Sequence, residues 1–479
     1  MANKRKNRKL GFILGLVLIL VVFQGAAAFW IVRSGGRDTA LDVSANPVTQ
    51  PTAVQTEAVP TQPSQTEPTI PEGPVQLVQT ATIGALGDII PDLPIINAYE
   101  TETGYDFDGI FRFLSPYSQG VDYAVASLET TLAGTGEGLR YDGFLNRNCP
   151  DEIVDSLKAA GFEMLLTANN HSYDTGSAGL QRTIDVIAQR GLQNLGTSRE
   201  STLSKYTIVD INGIRVGMLS YTMESPIPED GQPGTVYLGP HQVQKEDLAR
   251  ICTYLPEQPD LLCAELQWNL NRMRQQGAEA SVVFLHWGNS YSLKASDDQK
   301  YLAQQLCNMG VDVIVGTHPH VVEPAQLLTS TTDPAHQTVC LYSLGNAVSN
   351  QRFGSVRRIS TAHTEDGLFF TFTFCKYSDG SVYLSDVELL PLWMEMRPEL
   401  QRSYNIIPLD DSLRDQWQSL YGLSDAAVQA AGKSYNRTSK ILGTAGTELR
   451  EALAAARELR EADYLADWVG AQYATEEST

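Results

Sequence analysis

Basic residues are scarce in this chain: 35 Lys and Arg stand against 56 Asp and Glu in 479 residues, a formal net charge of −21. A deficit of that size leaves no basic face to neutralise a phosphate backbone, which argues against a nucleic-acid partner. Cysteine is sparse as well. The six, Cys149, Cys252, Cys263, Cys307, Cys340 and Cys375, include no C-x-x-C pair, so thiol-based zinc and redox motifs are absent. Cys340 and Cys375 lie in apolar strand-like runs and read as small buried hydrophobes. Nothing beyond spacing supports a Cys252–Cys263 bridge. There is no internal repeat, which sets solenoid architectures aside. Histidine is the third scarcity, with 7 in the chain. His241, His336 and His363 have no distinctive setting; the other four do.

Long apolar runs are confined to one place. Residues 1–9 carry Lys4, Arg5, Lys6, Arg8 and Lys9, and Leu10 to Val32 follows without a charge. A run of that length spans a bilayer as a helix, and the basic flank keeps residues 1–9 in the cytoplasm. Ala26-Ala-Ala28 offers a signal-peptidase site, but the apolar run continues through Phe29-Trp-Ile-Val, which favours an uncleaved anchor. Residues 33–77 are rich in Thr, Pro and Gln and read as an extended, disordered spacer. The expected location is the bacterial cell membrane, single-pass, with the main domain (residues 78–398) outside.

Within that domain strands and helices alternate, and the fold class is α/β. Helices are expected over 150–160, 179–190, 263–276 and 297–309, each followed by a glycine (Gly161, Gly191, Gly277, Gly310) where a helix C′ residue belongs. Two hairpins are expected, one turning at Asn212-Gly213 and one at Ser378-Asp-Gly-Ser. Residues 399–479 form a polar, helix-prone extension in which Leu449, Leu453, Leu459 and Leu465 recur at near-helical spacing. A packing helix is the simpler reading of it, a partner-binding helix the alternative.

The chemistry collects where apolar runs end. Ile83-Gly-Ala-Leu-Gly leads into Asp88, Tyr123-Ala-Val-Ala-Ser-Leu into Glu129, and Met164-Leu-Leu-Thr-Ala-Asn into Asn170-His171. Ser281-Val-Val-Phe-Leu leads into His286, and Val311-Asp-Val-Ile-Val-Gly-Thr into His318-Pro-His320. Ligands of open α/β sheets gather at the carboxyl ends of parallel strands, so these residues are expected at one rim of one sheet. Carboxylates, an amide and imidazoles together suit a divalent metal, with two ions the leading expectation. Asp88 or Glu129 alone reads as a turn or cap residue. Asn170-His171 with Asp174 three residues on is more specific: the amide can ligate, the imidazole can reach substrate, and Asp174 can hold the imidazole and raise its pKa. The competing reading is a polar helix entry with Asn and Asp as caps. In an extended segment His318 and His320 would face the same side. Asn346, after Tyr342-Ser-Leu-Gly, and Arg147 are candidates for substrate binding, against a turn and a solvated loop arginine respectively. Activity should fall in acid as the histidines protonate.

Taken in order, Gly87-Asp88, Ser127-Leu-Glu129, Asn169-Asn-His-Ser-Tyr-Asp-Thr-Gly176, His286-Trp-Gly288, Gly316-Thr-His-Pro-His-Val321 and Tyr342-Ser-Leu-Gly-Asn346 form a set. On this set, over residues 79–395, the chain resembles the CapA-type capsule (poly-γ-glutamate) biosynthesis family, a branch of the calcineurin-like metallophosphatase superfamily. The resemblance implies a four-layer α/β/β/α sandwich of the metallo-dependent phosphatase type, to which this sequence adds an N-terminal transmembrane helix and a C-terminal helical extension. It implies two divalent ions (Mn, Fe, Zn or Mg). Glu129 would bridge them, Asp88 and His320 would complete one, and Asn170, His286 and His318 would hold the other. His171, backed by Asp174, would be the general acid. Metallophosphatases at large carry Asp-x-His in the first block; here it is Asp88-Ile-Ile90, and one ion would lack an imidazole.

Three functions fit. The first is a metal-dependent hydrolase acting in envelope-polymer synthesis on a phosphoester or an anionic polymer. The second is a non-catalytic, metal-stabilised component working with the membrane subunits of a polymer synthase or exporter. The third is a secreted phosphoesterase.

Overall fold

The structure, a computed structural model, describes residues 74–476 apart from 137, 144, 202–204, 230, 355–359 and 398–402. The expected cytoplasmic segment, membrane span and most of the spacer lie outside the described residues. Among the described residues, no helix is long and apolar enough to cross a membrane.

Two large sheets make up the core of the fold. In the first, the Asp88 strand (Leu77–Ile89) is central. It runs parallel to the Glu129 strand (Tyr123–Leu128) on one side and antiparallel to Asp366–Tyr377 on the other. Met164–Leu166 and Gln193–Leu195 continue the parallel side, while Val382–Arg397 and Ser403–Pro408 extend the antiparallel side. A short strand, Asn346–Val348, joins the end of the Asp88 strand in parallel. In the second sheet, Ile214–Met223, the His286 strand (Ala280–His286), the His318 strand (Val313–Thr317) and Gln337–Leu341 lie parallel in that order. Antiparallel strands Tyr206–Ile211 and Ala325–Thr329 close its edges.

Side-chain alternation decides the layers. Along Asp366–Tyr377, Leu368, Phe370, Phe372 and Phe374 point inward, where they meet Val216, Val282, Phe284 and Val315 of the other sheet. Phe369, one residue out of phase, joins a second cluster on the outer face, as a period of two requires. There it packs with Ile153, Val154 and Leu157 of helix Glu152–Ala159 and Val186 and Ile187 of helix Gly176–Gln189. Helix Pro259–Gln275 presents Leu262, Leu266, Leu270 and Met273 to the outer face of the second sheet, at the three-to-four spacing of one helical stripe. The order is helix, sheet, sheet, helix. Emptying the inter-sheet seam at a single ring, as in Phe372→Ala, should cost about 3–5 kcal/mol.

The helices fall within a few residues of their expected spans, and Gly161, Gly191, Gly277 and Gly310 all have positive φ. Both hairpins form, with Asn212 and Gly213 at the turn of the first. All six cysteines are free. The 399–479 region, expected to be helical, begins with the sheet strand Ser403–Pro408, whose buried apolar residues continue the first sheet. It then forms the short helix Trp417–Tyr421 and two long helices, Asp425–Leu442 and Ala445–Glu476. Leu449 and Leu453 pack into the inter-sheet cluster, and Leu459 is 68% exposed. The near end of the last helix is therefore a packing element.

Candidate metal centre

The expected ligands sit on two sheets, not on one rim. Asp88, Glu129 and Asn170 follow the first sheet; His286, His318 and His320 follow the second. The two sets of carboxyl ends meet because glycines allow close approach. A Cβ on Gly87 would stand 2.2 Å from the carbonyl oxygen of Gly345, on the segment that runs from the second sheet to the first; within the second sheet, one on Gly316 would stand 1.8 Å from that of Tyr342. Only glycine fits at either place. With Gly87 there, Asp88 N donates to Gly345 O at 3.1 Å, and the strand end is pinned.

The donor atoms converge. Asn170 Oδ1 lies 2.8 Å from His286 Nε2, which lies 3.1 Å from His318 Nδ1. Donors held 2.0–2.1 Å from one shared ion stand roughly 3 Å apart. His286 Nδ1 lies 3.0 Å from Thr317 Oγ1, a contact that fixes the Nδ1–H tautomer when the hydroxyl accepts. Nε2 then turns a lone pair toward an amide oxygen and a second imidazole, an arrangement that calls for a cation. Ligand atoms of Asp88, Glu129 and His286 lie within 4.8 Å of one another. Glu129 Oε2 is buried without a hydrogen-bond partner. A buried acceptor with nothing to accept from is costly unless a cation answers it. The residues present fit a divalent metal ion.

His318 and His320 reach the centre by a route other than an extended segment. Both have left-handed backbone, with φ of +95° and +60°. Non-glycine residues held there carry strain that the surrounding structure must enforce, and such strain gathers at functional sites. His318 N donates to Asp88 Oδ2 at 3.0 Å, which locks the turn to the facing sheet.

Burial governs the titrations. It lifts the Asp88 carboxyl to about 6, against hydrogen bonds from His318 N and Ser127. It raises Glu129 well above the ordinary carboxylate range, although Arg147 pulls the other way. It holds His286 and His320 well below the ordinary histidine value and His318 at about 3. The imidazoles are therefore held neutral, and their protonation is displaced further into acid than that of an ordinary histidine.

His171 Nδ1 donates to Asp174 Oδ2 at 2.7 Å, leaving Nε2 3.7 Å from Glu129 Oε1. Burial and the nearby Arg147 push His171 well below its ordinary value, opposite to the expected effect of Asp174, which burial itself lifts to about 7. The resting imidazole is neutral and carries its lone pair at Nε2. Asn346, expected as a substrate contact, has its amide engaged within the protein: Oδ1 accepts from His320 Nδ1 at 3.1 Å and Nδ2 donates to Thr364 O at 3.0 Å. It orients His320. Arg147 is not a solvated loop residue. It is 3% exposed and ion-paired through Nη1 to Glu129 Oε1, whereas the Arg140 side chain is 83% exposed.

Sequence reading missed Thr317, which orients His286, and Ser127, which donates to Asp88 Oδ1 at 2.8 Å. It also missed His241, whose Nε2 lies 3.9 Å from Asp174 Oδ1. Thr317 and Ser127 lay inside the quoted strand runs and were legible as the residues beside the ligands in register. His241 arrives on a separate short hairpin and carried no local signal.

A helix–sheet–sheet–helix core with a buried carboxylate, amide and imidazole cluster at its meeting strand ends defines an α/β protein with a candidate divalent-metal centre. The chain belongs to the bacterial capsule synthesis protein PGA_cap family, whose model matches residues 82–351. It is similar to the capsule biosynthesis protein CapA of Bacillus anthracis, 29% identical over 56% of this chain and 60% of that one. It is also similar to the PGA biosynthesis protein CapA of Bacillus subtilis (strain 168), 27% identical over 52% of this chain and 59% of the relative. The matched segment thus spans about 60% of these relatives' length. Among solved structures it is similar to the sulfate thiohydrolase SoxB of Thermus thermophilus, at 12% identity and a TM-score of 0.34, over 67% of this chain and 57% of that one. That likeness is too distant to carry an argument.

Proposed function

We propose that this protein is a metal-dependent hydrolase of capsule or poly-γ-glutamate biosynthesis, working on an anionic polymer or a phosphoester outside the bacterial membrane. The observation that supports it most is the placing of His171 Nε2, 3.7 Å from Glu129 Oε1, beside the Asn170, His286 and His318 donors. A proton-transfer group next to a metal-type donor set is the minimum a hydrolytic site requires.

A divalent ion held by Asn170, His286, His318 and Glu129 would supply Lewis acidity and a water of lowered pKa. The chain's own residues do the rest. Asp174 fixes the His171 ring through Nδ1, and Arg147 N donates to the same carboxylate oxygen at 2.8 Å. His171 Nε2 is then free to take a proton from a nucleophile and to return it to a leaving group. Asp88, held by Ser127 and His318 N, keeps the two sheets in register at the site. The reading extends to localisation: residues 10–32 anchor the chain and 33–77 hold the 78–398 domain away from the membrane, where synthase subunits would be its partners.

The test is complementation of a strain lacking this gene. Chains carrying His171→Ala should accumulate normally and retain metal, yet fail to restore envelope-polymer output. Full output would favour the non-catalytic component of a synthesis or export complex.

A further inference from the structure

We propose that the Arg147 guanidinium stands in the place of a second cation, so that this centre takes one divalent ion and not two. The proposal rests on the metal-centre reading above and concerns how many ions that centre holds.

The first argument is the state of Glu129. A carboxylate that bridges two ions through both of its oxygens must offer one to each. Here Oε1 is held by Arg147 Nη1 in a buried ion pair, and only Oε2 is without a partner. The guanidinium thus occupies the oxygen that a bridge through both oxygens would give to a second ion.

The second is the uneven supply of donors. On the His286 side, Asn170 Oδ1, His286 Nε2 and His318 Nδ1 lie within 3.1 Å of their neighbours along the chain of contacts. On the Asp88 side, the position that would carry an imidazole in an Asp-x-His block is the fully buried Ile90, which has no donor to offer. Asp88 accepts hydrogen bonds on both carboxylate oxygens, from Ser127 Oγ and His318 N. A second ion there would share Asp88 with those two hydrogen bonds and would have His320 as its one imidazole.

The third is that Arg147 is built in. Its backbone N donates to Asp174 Oδ2 at 2.8 Å. Its carbonyl accepts from Thr131 N at 3.2 Å and from Thr131 Oγ1 at 2.7 Å. Guanidinium stays charged at any working pH. A fixed buried cation touching the would-be bridging carboxylate repels a second divalent ion at that spot, in a medium where charge interactions are weakly screened. It also offers an anionic substrate the positive charge that a second ion would otherwise give, in the planar form suited to phosphate and carboxylate oxygens.

Mn2+ titration of the full-length chain, followed by equilibrium dialysis and electron paramagnetic resonance, reads this directly. The expected result is saturation at about one ion per chain with the six-line spectrum of an isolated Mn2+. Two ions per chain, or the multiline signal of an exchange-coupled pair, would overturn the proposal and leave the metal-centre reading standing. Absence of binding would overturn both. The double variant Ile90→His/Arg147→Gln restores the missing imidazole and frees Glu129 Oε1. With native circular dichroism it should take up a second ion, and retention of a single ion would count against the displacing role of Arg147. If that variant does not fold, the wild-type stoichiometry still decides.

Discussion

His286 Nε2 and His318 Nδ1 stand 3.1 Å apart, each at the carboxyl end of a neighbouring parallel strand. With His286 protonated at Nδ1 toward Thr317 and His318 at Nε2 toward Ser290, the two facing nitrogens both carry lone pairs, and a shared cation would answer both. The register that pairs His286 with Thr317 places His318 one residue beyond, so the contact is a direct product of strand alignment.

Thr317 should control the affinity of that pair for metal. Its hydroxyl is the partner of His286 Nδ1, and outer partners of ligating histidines are typically worth 10–100-fold in metal affinity. Thr317→Val keeps the β-branched shape and removes the acceptor. Calorimetric titration with Mn2+ should show a loss of roughly 10–100-fold with thermal stability nearly unchanged. An unchanged dissociation constant would mean that packing alone orients the ring.

Glu323 gives the fold a dependence on pH away from the ligands. It is buried, accepts from Gln299 Nε2 at 2.7 Å through Oε2, and has no partner at Oε1. Burial raises its carboxyl from 4.5 to about 7. The folded state therefore holds the proton more tightly than the unfolded one. Its stability contribution is complete below pH 4.5, falls as pH rises toward 7, and is level above that. Glu323→Gln abolishes the fall. Denaturant melts should show the variant gaining up to ~3 kcal/mol on the wild type between pH 4 and pH 8. A difference that does not change with pH would contradict this.

Arg437 ties the C-terminal extension to the sheet that carries Asp88. On helix Asp425–Leu442, its Nε donates to Asp366 Oδ2 at 2.7 Å and its Nη2 to Oδ1 at 2.6 Å. Asp366 is almost fully enclosed, while Arg437 is partly open to water. Arg437→Ala strands a buried carboxylate and should cost about 2–3 kcal/mol, less than the ~3–5 for a fully enclosed pair. Asp366→Asn in the same chain should recover most of the loss.

The ligands were legible because each closes an apolar run, and a buried strand that ends in a polar group exposes it at a sheet rim. The helices were legible from their stripes and closing glycines. The division of the ligands between two sheets was not, because period-two patterning says which residues face inward but not which strands pair. For a related reason Arg147 was not legible as a buried residue. It lies in a loop with no periodicity, and its burial depends on Glu129, eighteen positions earlier, and on Asp174, far later in the chain. The left-handed turns at His318 and His320 have no glycine to announce them. The C-terminal helices were visible as helices, while their docking through Leu449, Leu453 and Arg437 is a tertiary fact.

The most direct test of the metal centre is an anomalous-difference map from crystals of the protein soaked in Mn2+. The account predicts a peak within bonding distance of Asn170 Oδ1, His286 Nε2 and His318 Nδ1, beside Glu129 Oε2. A map without density there at saturating Mn2+, or with the ion bound only elsewhere on the surface, would contradict it.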